Sequence, residues 1–265
     1  MKITSSAAKA LAAGLLGILL WAGAARCAEV KVMISGGLSA AYNELVPQFE
    51  HATENKVVTA SGPSMGTTQY AIPVRLARGE PADVLIMVGY ALGDLIKQDK
   101  VVADSRVDLA RSLIGMVVRA GAPKPDISTV EAFKRTLLAA KSVAYSDSAS
   151  GVYVGTEMFE RLGIADQMKA KSRAIPADPV AGVVARGEAE LGFQQISELI
   201  PVPGVDLVGP IPPEVQKVTV FSAGIVVGAA QPQAGRTLIK FLASTTAAPI
   251  ITKSGLDPMA VPSAK

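Results

Sequence analysis

The sequence is short of the residues on which many enzymes rely for bond-making chemistry. Its 265 residues contain one cysteine, Cys27, and one histidine, His51. A single cysteine allows no internal disulfide, and the two residues provide no Cys/His cluster with the spacing of a zinc site. His51 stands beside acidic and polar residues at the end of a predicted helix, so Ser–His–Asp catalysis has no candidate. Neither a Walker loop nor a GxGxxG motif follows a predicted strand. Together with the missing Cys/His cluster, this leads us to expect no metal and no cofactor.

Charged and aromatic residues are also scarce. Charged residues make up 18% of the chain and aromatic residues 5%, and the net charge is +3. That excess comes from Lys2, Lys9 and Arg26, because no acidic residue occurs in the first 28 positions. The remaining chain is neutral and lacks the basic surface that binds a phosphate backbone, so we expect no nucleic-acid partner. The scarcity of aromatic residues also disfavours a purely structural or adhesive protein.

The N-terminus has the pattern of a secretory signal peptide. Basic residues precede an apolar run over residues 10–25, which ends in small residues. The run is shorter than the roughly 20 apolar residues that span a bilayer. Residues 1–28 are therefore predicted to be a signal peptide cleaved between 24 and 28, and the mature protein to be a periplasmic monomer. Arg26 before Cys27 disfavours lipid attachment at the cysteine.

From residue 30 onward, short apolar segments alternate with segments of helical spacing. KVMIS (31–35), KVVTAS (56–61) and ADVLIMV (82–88) are predicted strands, each followed by a glycine-containing loop and a helix. Such alternation is typical of βαβ units. It predicts an α/β protein with mainly parallel sheets and helices on both faces.

Two longer β-like segments, 112–121 and 216–230, are not followed at once by a helix. We therefore predict that they cross between two lobes as hinge segments. Residues 29–110 plus 225–265 would form lobe I, and residues 111–224 would form lobe II. Because no low-complexity linker separates the lobes, we expect a two-lobed molecule with a binding site in the crevice between them.

Three loops rich in serine, threonine and glycine follow predicted strands and precede helices. They are Ser35–Gly37, Ser61–Thr68 and Ser146–Gly151, and Ser150 is the predicted N-cap in the third. Loops of this kind present backbone N–H groups and hydroxyls at helix N-termini, where the helix dipole favours an anion. We therefore predict a cleft that binds a small anion, although each loop alone is equally compatible with an ordinary helix cap.

Three segments of the chain resemble the type II periplasmic solute-binding proteins, and within them the molybdate-binding branch: GEPADVLIMV (79–88), DSASGVY (147–153) and ARGEAELGF (185–193). The resemblance covers nearly all of the chain after the signal peptide. It implies two α/β lobes that close on an oxyanion held by hydroxyl and N–H donors. Matching to the ligand loops of that family implies binding by Ser35, Gly36, Gly37, Ser61, Ser64, Thr67, Ser150, Gly151 and Val152.

The chain departs from the molybdate-binding pattern at two places. Gly37 occupies a position where the family usually has serine, and no tyrosine follows the Leu-Gly pair of LGFQQ (191–195). The amides of Gln194 and Gln195 offer both donors and acceptors, which suits a ligand with carboxyl groups better than a small tetrahedral dianion. Arg75, after the second loop, is predicted to bind such a carboxylate in a bidentate manner.

Aconitate isomerases are similar in fold to molybdate receptors but act as enzymes, and the missing tyrosine fits a resemblance to them. That resemblance implies a cofactor-independent isomerase that interconverts trans- and cis-aconitate, a small tricarboxylate. The reaction is an allylic proton shift, which needs a base and an acid. Candidates near the loops are Tyr42, Tyr145, Asp147 and Tyr153. The alternative is a non-catalytic receptor that passes molybdate or a small carboxylate anion to a membrane ABC permease.

Overall fold

The structure is a computed structural model that describes residues 27–176 and 178–259. The predicted signal peptide and its cleavage site therefore lie outside the described residues, apart from Cys27 and Ala28. Within the described ranges, no helix combines the length and the apolar composition that a membrane crossing requires.

The strands of the described ranges form two sheets. Those of the first sheet are β1 (Glu29–Ile34), β2 (Lys56–Ser61), β3 (Val84–Val88), β4 (Val107–Ser112), β10 (Thr219–Ile225) and β11 (Asp257–Pro258). Those of the second sheet are β5 (Ile114–Arg119), β6 (Val143–Ser146), β7 (Ser172–Ile175), β8 (Leu191–Gln195) and β9 (Val205–Pro210). The spatial orders are β11-β4-β10-β3-β1-β2 and β7-β6-β8-β5-β9.

Both sheets are mixed rather than mainly parallel. The pairings of β1 with β2 and β3, and of β6 with β7 and β8, are parallel, as the predicted βαβ units require. The remaining pairings are antiparallel. The difference arises because β5 and β10 each enter directly from the other sheet, with no α-helix before them. Each therefore runs against the neighbours between which it inserts.

The chain crosses between the sheets at two places. It passes to the second sheet at Leu113, between β4 and β5, and returns between β9 and β10. Of the segment 216–230, only β10 is a continuous strand, and it pairs within the first sheet. The sheet boundary therefore lies before Thr219 rather than at 224, because alternating apolar residues mark a strand but not the sheet that it joins. The other limits of the two lobes stay a prediction.

The helices connect the strands and cover both faces of the sheets. The α-helices are α1 (Gly36–Thr53), α2 (Ile72–Ala77), α3 (Gly89–Lys97), α4 (Val130–Ala139), α5 (Ala149–Tyr153), α6 (Phe159–Arg161), α7 (Ala165–Lys169), α8 (Val180–Ala185), α9 (Ile196–Leu199), α10 (Pro232–Leu242) and α11 (Ala248–Lys253). A π-helical turn, Val154–Met158, joins α5 to α6, so the two form one continuous helix.

Strand β1 is buried on both faces, and this fixes the first loop of the site. Val32 and Ile34 pack with Phe49 of α1 in one core cluster, whereas Met33 lies in a second cluster on the opposite face. Each large apolar side chain buried in this way contributes roughly 1.5 to 3 kcal/mol. The carboxyl end of β1, and with it the loop Ser35–Gly37, is therefore held in place from both sides.

Candidate functional site

A cavity of about 600 Å³ lies between the two sheets, where β1, β2, β6 and β8 end. Its lining includes residues from all three predicted loops and from the end of β8. From the first sheet come Ser35, Gly36, Gly37, Ser61 and Ser64. From the second come Ser146, Asp147, Ser150, Gln194, Gln195 and Glu198. The structure thus brings most of the predicted binding residues to one cavity.

Five helices begin at this cavity. The N-cap residues of α1, α3, α5, α8 and α9 all line it: Ser35, Val88, Ser148, Pro179 and Gln195. None of these caps has a side-chain hydrogen bond to its own helix. The first N–H groups of a helix have no partner within it. The first N–H of α8, at Val180, donates to Gln194 Oε1, and that of α9, at Ile196, donates to the Leu113 carbonyl oxygen. The N–H groups that open α1 and α5 have no such bond within the described residues and lie at the cavity with the positive end of the helix dipole. The cavity therefore suits an anion.

Two buried polar atoms in the cavity wall have no hydrogen-bond partner within the described residues: Ser35 Oγ and Gln195 Oε1. The side chains are 4% and 2% exposed. Gln195 is nevertheless oriented, because its Nε2 donates to Thr219 Oγ1 at 3.0 Å. A buried polar atom without a partner costs roughly 1 to 3 kcal/mol, which a ligand that pairs with it would recover. Both atoms are thus placed to contact a ligand.

Only one residue of the predicted turn Ser150–Val152 reaches the cavity. The N-cap of α5 is Ser148, so Ser150 lies within the first turn, with its Oγ 3.2 Å from Ser146 Oγ. The predicted N-cap, Ser150, is therefore wrong. Serine is a favoured N-cap residue, and the sequence pattern suits Ser148 as well as Ser150. Gly151 packs on β6, where a Cβ would lie 1.5 Å from the Ser146 carbonyl oxygen. Val152 is 47% exposed and lies outside the lining.

Arg75 contacts Glu80 rather than the cavity. Its Nε lies 3.0 Å from Glu80 Oε1, and its Nη1 donates to the Ser61 carbonyl oxygen at 3.0 Å. The hydrogen bond from this guanidinium lowers the pKa of Glu80 to about 2. The predicted contact with a ligand carboxylate is therefore replaced by an internal ion pair that braces the second loop. Thr67 of that loop is exposed and does not line the cavity.

Gly36 and Gly37 allow two side chains to approach α1 closely. A Cβ at Gly36 would lie 2.1 Å from Glu198 Oε1, and a Cβ at Gly37 would lie 2.1 Å from the ring of Phe221. Ser197 Oγ also donates to the Gly37 carbonyl oxygen at 2.6 Å, which joins the two sheets. The absence of serine at position 37 thus has a steric reason, because Phe221 fills the space that a side chain would need.

The three candidate tyrosines do not line the cavity. Tyr42 is buried in the core with its hydroxyl 2.9 Å from Thr59 Oγ1, and burial raises its pKa to about 12. Tyr153 is buried as well, and its hydroxyl donates to the Val215 carbonyl oxygen at 2.7 Å. The Tyr145 ring packs edge-on against Phe159. The three tyrosines lie on the core-facing sides of their helices and strand. A short sequence segment does not show which side of an element faces the core. Asp147 is the one sequence-predicted acid/base candidate that lines the cavity.

Glu198 lines the cavity and was not singled out from the sequence. It lies on α9, directly after β8, and its carboxylate contacts the start of α1 at Gly36. Burial raises the pKa of Glu198 to about 7, and a hydrogen bond from the Gln194 side chain lowers it in part. The sequence feature that indicates it is its position, three residues after Gln195 and just beyond the carboxyl end of a buried strand.

No lysine or arginine lines the cavity in the part of the chain that the structure describes. Among its acidic residues, Asp178 is paired with Arg186, with Oδ2 and Nη2 2.7 Å apart. An adjoining cavity of about 320 Å³ shares Ala149 and Ser150 with the first and is lined by Arg106 and Lys217. Both basic residues are paired with acids, Arg106 with Asp108 and Lys217 with Glu157, each at 3.0 Å. Anion binding in the main cavity therefore depends on N–H and hydroxyl donors.

Comparison with known proteins agrees with this architecture. The family model for "bacterial extracellular solute-binding protein" matches residues 30–257. An aconitate isomerase from Pseudomonas sp is 54% identical over 228 residues, which is 86% of this chain and 87% of that protein. The molybdate-binding protein ModA of Azotobacter vinelandii is 29% identical over 195 residues, 72% of this chain and 71% of that protein.

Solved structures show the same fold. The periplasmic molybdate-binding protein of Azotobacter vinelandii superposes with a TM-score of 0.68 at 22% identity, covering 86% of this chain and 98% of that one. The sulfate-binding protein SubI of Mycobacterium tuberculosis also gives 0.68, at 17% identity, covering 88% of this chain and 87% of that one. The predicted two-lobed α/β fold, similar to molybdate-binding proteins, is thereby confirmed. The chain belongs to the bacterial extracellular solute-binding protein family.

Proposed function

We propose that this protein is an aconitate isomerase, which interconverts cis- and trans-aconitate in the cavity between its two sheets. The observation that carries the proposal is the 54% identity, over 86% of the chain, with the aconitate isomerase of Pseudomonas sp. The cavity supports it independently, because its size and its donors suit a small carboxylate substrate.

Substrate binding depends on neutral donors together with nearby positive charge. The free N–H groups at the start of α1 and α5, with the hydroxyls of Ser35 and Ser150, bind carboxylate oxygens inside the cavity. Arg106 and Lys217 line the adjoining cavity and are each paired with an acidic side chain, and a carboxylate at the far end of the same substrate would compete for them. The substrate carries three carboxylates along a short carbon chain, so it needs several neighbouring positions that each bind one carboxylate.

The reaction moves one proton and one double bond. A base removes a proton from the methylene carbon, and the electron pair of that C–H bond forms the new C=C. The electron pair of the old C=C takes up a proton from an acid at the other end of the allyl unit, so the atoms of the substrate are conserved. Negative charge develops on the adjoining carboxylate in the transition state, where fixed N–H dipoles stabilise it.

The mature protein acts in the periplasm as a monomer. Membership of an extracellular solute-binding family and the basic, apolar N-terminus support export and removal of residues 1–28. A single chain supplies the groups that line the cavity. The site therefore needs no second copy.

A second candidate function is that of a transport receptor. The 29% identity with ModA over 72% of the chain supports it, and the cavity would then pass molybdate or a carboxylate anion to an ABC permease. The segment LGFQQ (191–195) has no tyrosine after its Leu-Gly pair, and its one aromatic residue, Phe193, is buried with its ring centroid 5.9 Å from that of Phe133. A phenylalanine in the core supplies no hydroxyl to an oxyanion, which favours the isomerase.

Incubation of the purified protein with each aconitate isomer in turn tests the proposal. We expect chromatography to show the other isomer forming without added metal, and both reactions to reach the same final ratio. Heat-denatured protein serves as the control for spontaneous isomerisation. If neither isomer is converted while molybdate binds in calorimetry, the receptor function replaces the proposed one.

A further inference from the structure

An allylic proton shift needs a group in the cavity that can accept and release a proton near neutral pH. The acidic residues that line the cavity are Asp147, Asp178 and Glu198. Asp178 is engaged by Arg186 in a 2.7 Å ion pair. Either of the two remaining carboxyls could in principle act on a bound substrate.

The surroundings of Glu198 suit proton transfer better than those of Asp147. The Gln194 side chain lies against the Glu198 carboxylate and lowers its pKa by hydrogen bonding, and Gln194 Oε1 in turn accepts from the Val180 backbone N–H at 3.3 Å. An anchored amide therefore lies beside the Glu198 carboxylate. No basic residue of the described ranges forms an ion pair with Glu198, so no fixed positive charge holds it in the ionised form.

The position of Glu198 also places it against the substrate-binding donors. Its Oε1 fills the space beside Gly36, the first residue of α1. An anion bound at the N-terminus of α1 therefore lies in contact with this carboxylate. Burial raises the pKa of Glu198 to about 7, so both of its protonation states are populated at neutral pH.

We infer that Glu198 is the catalytic acid/base of the isomerisation proposed above, on which this inference rests. Its carboxylate takes the methylene proton of bound aconitate, and the C–H electron pair forms the new C=C. As a carboxylic acid, Glu198 then supplies the proton that the old C=C takes up at the other end of the allyl unit. The enzyme returns to its starting state with no net gain or loss of protons.

The Glu198→Gln variant tests the inference, because glutamine keeps the size and the hydrogen bonding but cannot accept the proton. We expect kcat to fall by about 100-fold or more, the usual contribution of general acid–base catalysis. The Kd for trans-aconitate, measured by calorimetry, should stay within about threefold of the wild-type value. Glu198→Asp should restore part of the activity. Glu160→Gln, at an exposed glutamate, is the matched control and should keep wild-type kcat.

The pH dependence of the wild-type protein gives a second test that needs no variant. Among the described residues, the charged groups that line the cavity with Glu198 are Asp147 and Asp178, and Asp178 is paired with Arg186 outside the lining. Helix α1 contributes only uncharged residues to the cavity. We expect kcat to rise with pH and to level off above an apparent pKa of about 7, since the base must be ionised. A kcat that is flat from about pH 5.5 to 8.5 overturns the role of Glu198 even if the glutamine variant fails to fold.

The outcomes separate the two proposals. Wild-type protein without isomerase activity overturns the proposed function itself. Active wild-type protein together with a fully active Glu198→Gln variant overturns only the role of Glu198. Loss of activity in Asp147→Asn, with Glu198→Gln still active, assigns the proton transfer to Asp147 instead.

Discussion

At the scale of single residues, Ser35 makes the clearest prediction about binding. Its Oγ is buried at the start of α1 and has no hydrogen-bond partner in the described residues. The hydroxyl can therefore donate a hydrogen bond to a carboxylate of the ligand. A hydrogen bond to a charged group is worth roughly 1.5 to 3 kcal/mol, or about 10- to 100-fold in affinity. We expect Ser35→Ala to raise the Kd for trans-aconitate by that factor in calorimetry.

The control for this variant is Thr237→Ala, which removes an exposed hydroxyl on α10. It should leave the Kd unchanged. A Ser35→Ala protein that binds trans-aconitate within twofold of wild type would show that this hydroxyl does not contact the substrate.

The residues also show where sequence reasoning succeeded and where it stopped. The sequence predicted that Ser35, Ser61 and Ser150 meet at one cavity, because they follow strands and precede helices, a position that the local pattern specifies. That they bind the ligand stays a prediction. Arg75 was misassigned because its partner Glu80 is close in sequence but the direction of the guanidinium depends on the fold. Glu198 was missed because its environment is built by Gly36, far away in the chain. Burial and long-range contacts decide such roles, and neither is a local property.

At the scale of elements, two glycines at helix starts should respond differently to the same substitution. A Cβ at Gly36 meets the flexible end of the Glu198 side chain, whereas a Cβ at Gly151 meets the backbone of β6. Gly36→Ala should therefore fold with a Tm within a few degrees of wild type but lose turnover, because Glu198 is displaced. Gly151→Ala should lower the Tm by on the order of 10 °C, since strained packing costs 1 to 3 kcal/mol or more.

Thermal unfolding followed by circular dichroism, together with kcat, distinguishes these effects. Equal losses of stability in both variants would contradict the different surroundings assigned to the two glycines. Full turnover in Gly36→Ala would contradict the close contact between α1 and Glu198.

Strand pairing shows which features of the elements the local sequence predicts and which it does not. The βαβ units were predicted correctly, because each depends on neighbouring segments. The antiparallel placement of β5 and β10 was not predicted, because it depends on which sheet a strand joins after the chain crosses over.

At the scale of the whole molecule, substrate should draw the two sheets together. A ligand that contacts loops from both sheets binds the closed arrangement better and shifts the population toward it. In the structure, the hydrogen bonds of Ser197 to Gly37 and of Gln195 to Thr219 already join the two sheets beside the cavity. We expect small-angle X-ray scattering to give a smaller radius of gyration with saturating trans-aconitate than with sodium chloride at equal ionic strength. Unchanged scattering with bound substrate would show that closure is not part of the cycle.

The central claim is that a protein with the fold of a solute receptor catalyses an isomerisation in its binding cavity. Proton NMR of trans-aconitate in D₂O with the purified wild-type protein tests it most directly, because one spectrum reports both the identity of the isomer and exchange at carbon. We predict that the resonances of cis-aconitate grow in, and that deuterium enters the methylene position in the fraction of turnovers in which the protonated base exchanges with solvent before it passes the proton on. A trans-aconitate spectrum that shows binding by line broadening, but no cis isomer and no deuterium after prolonged incubation, would contradict the account.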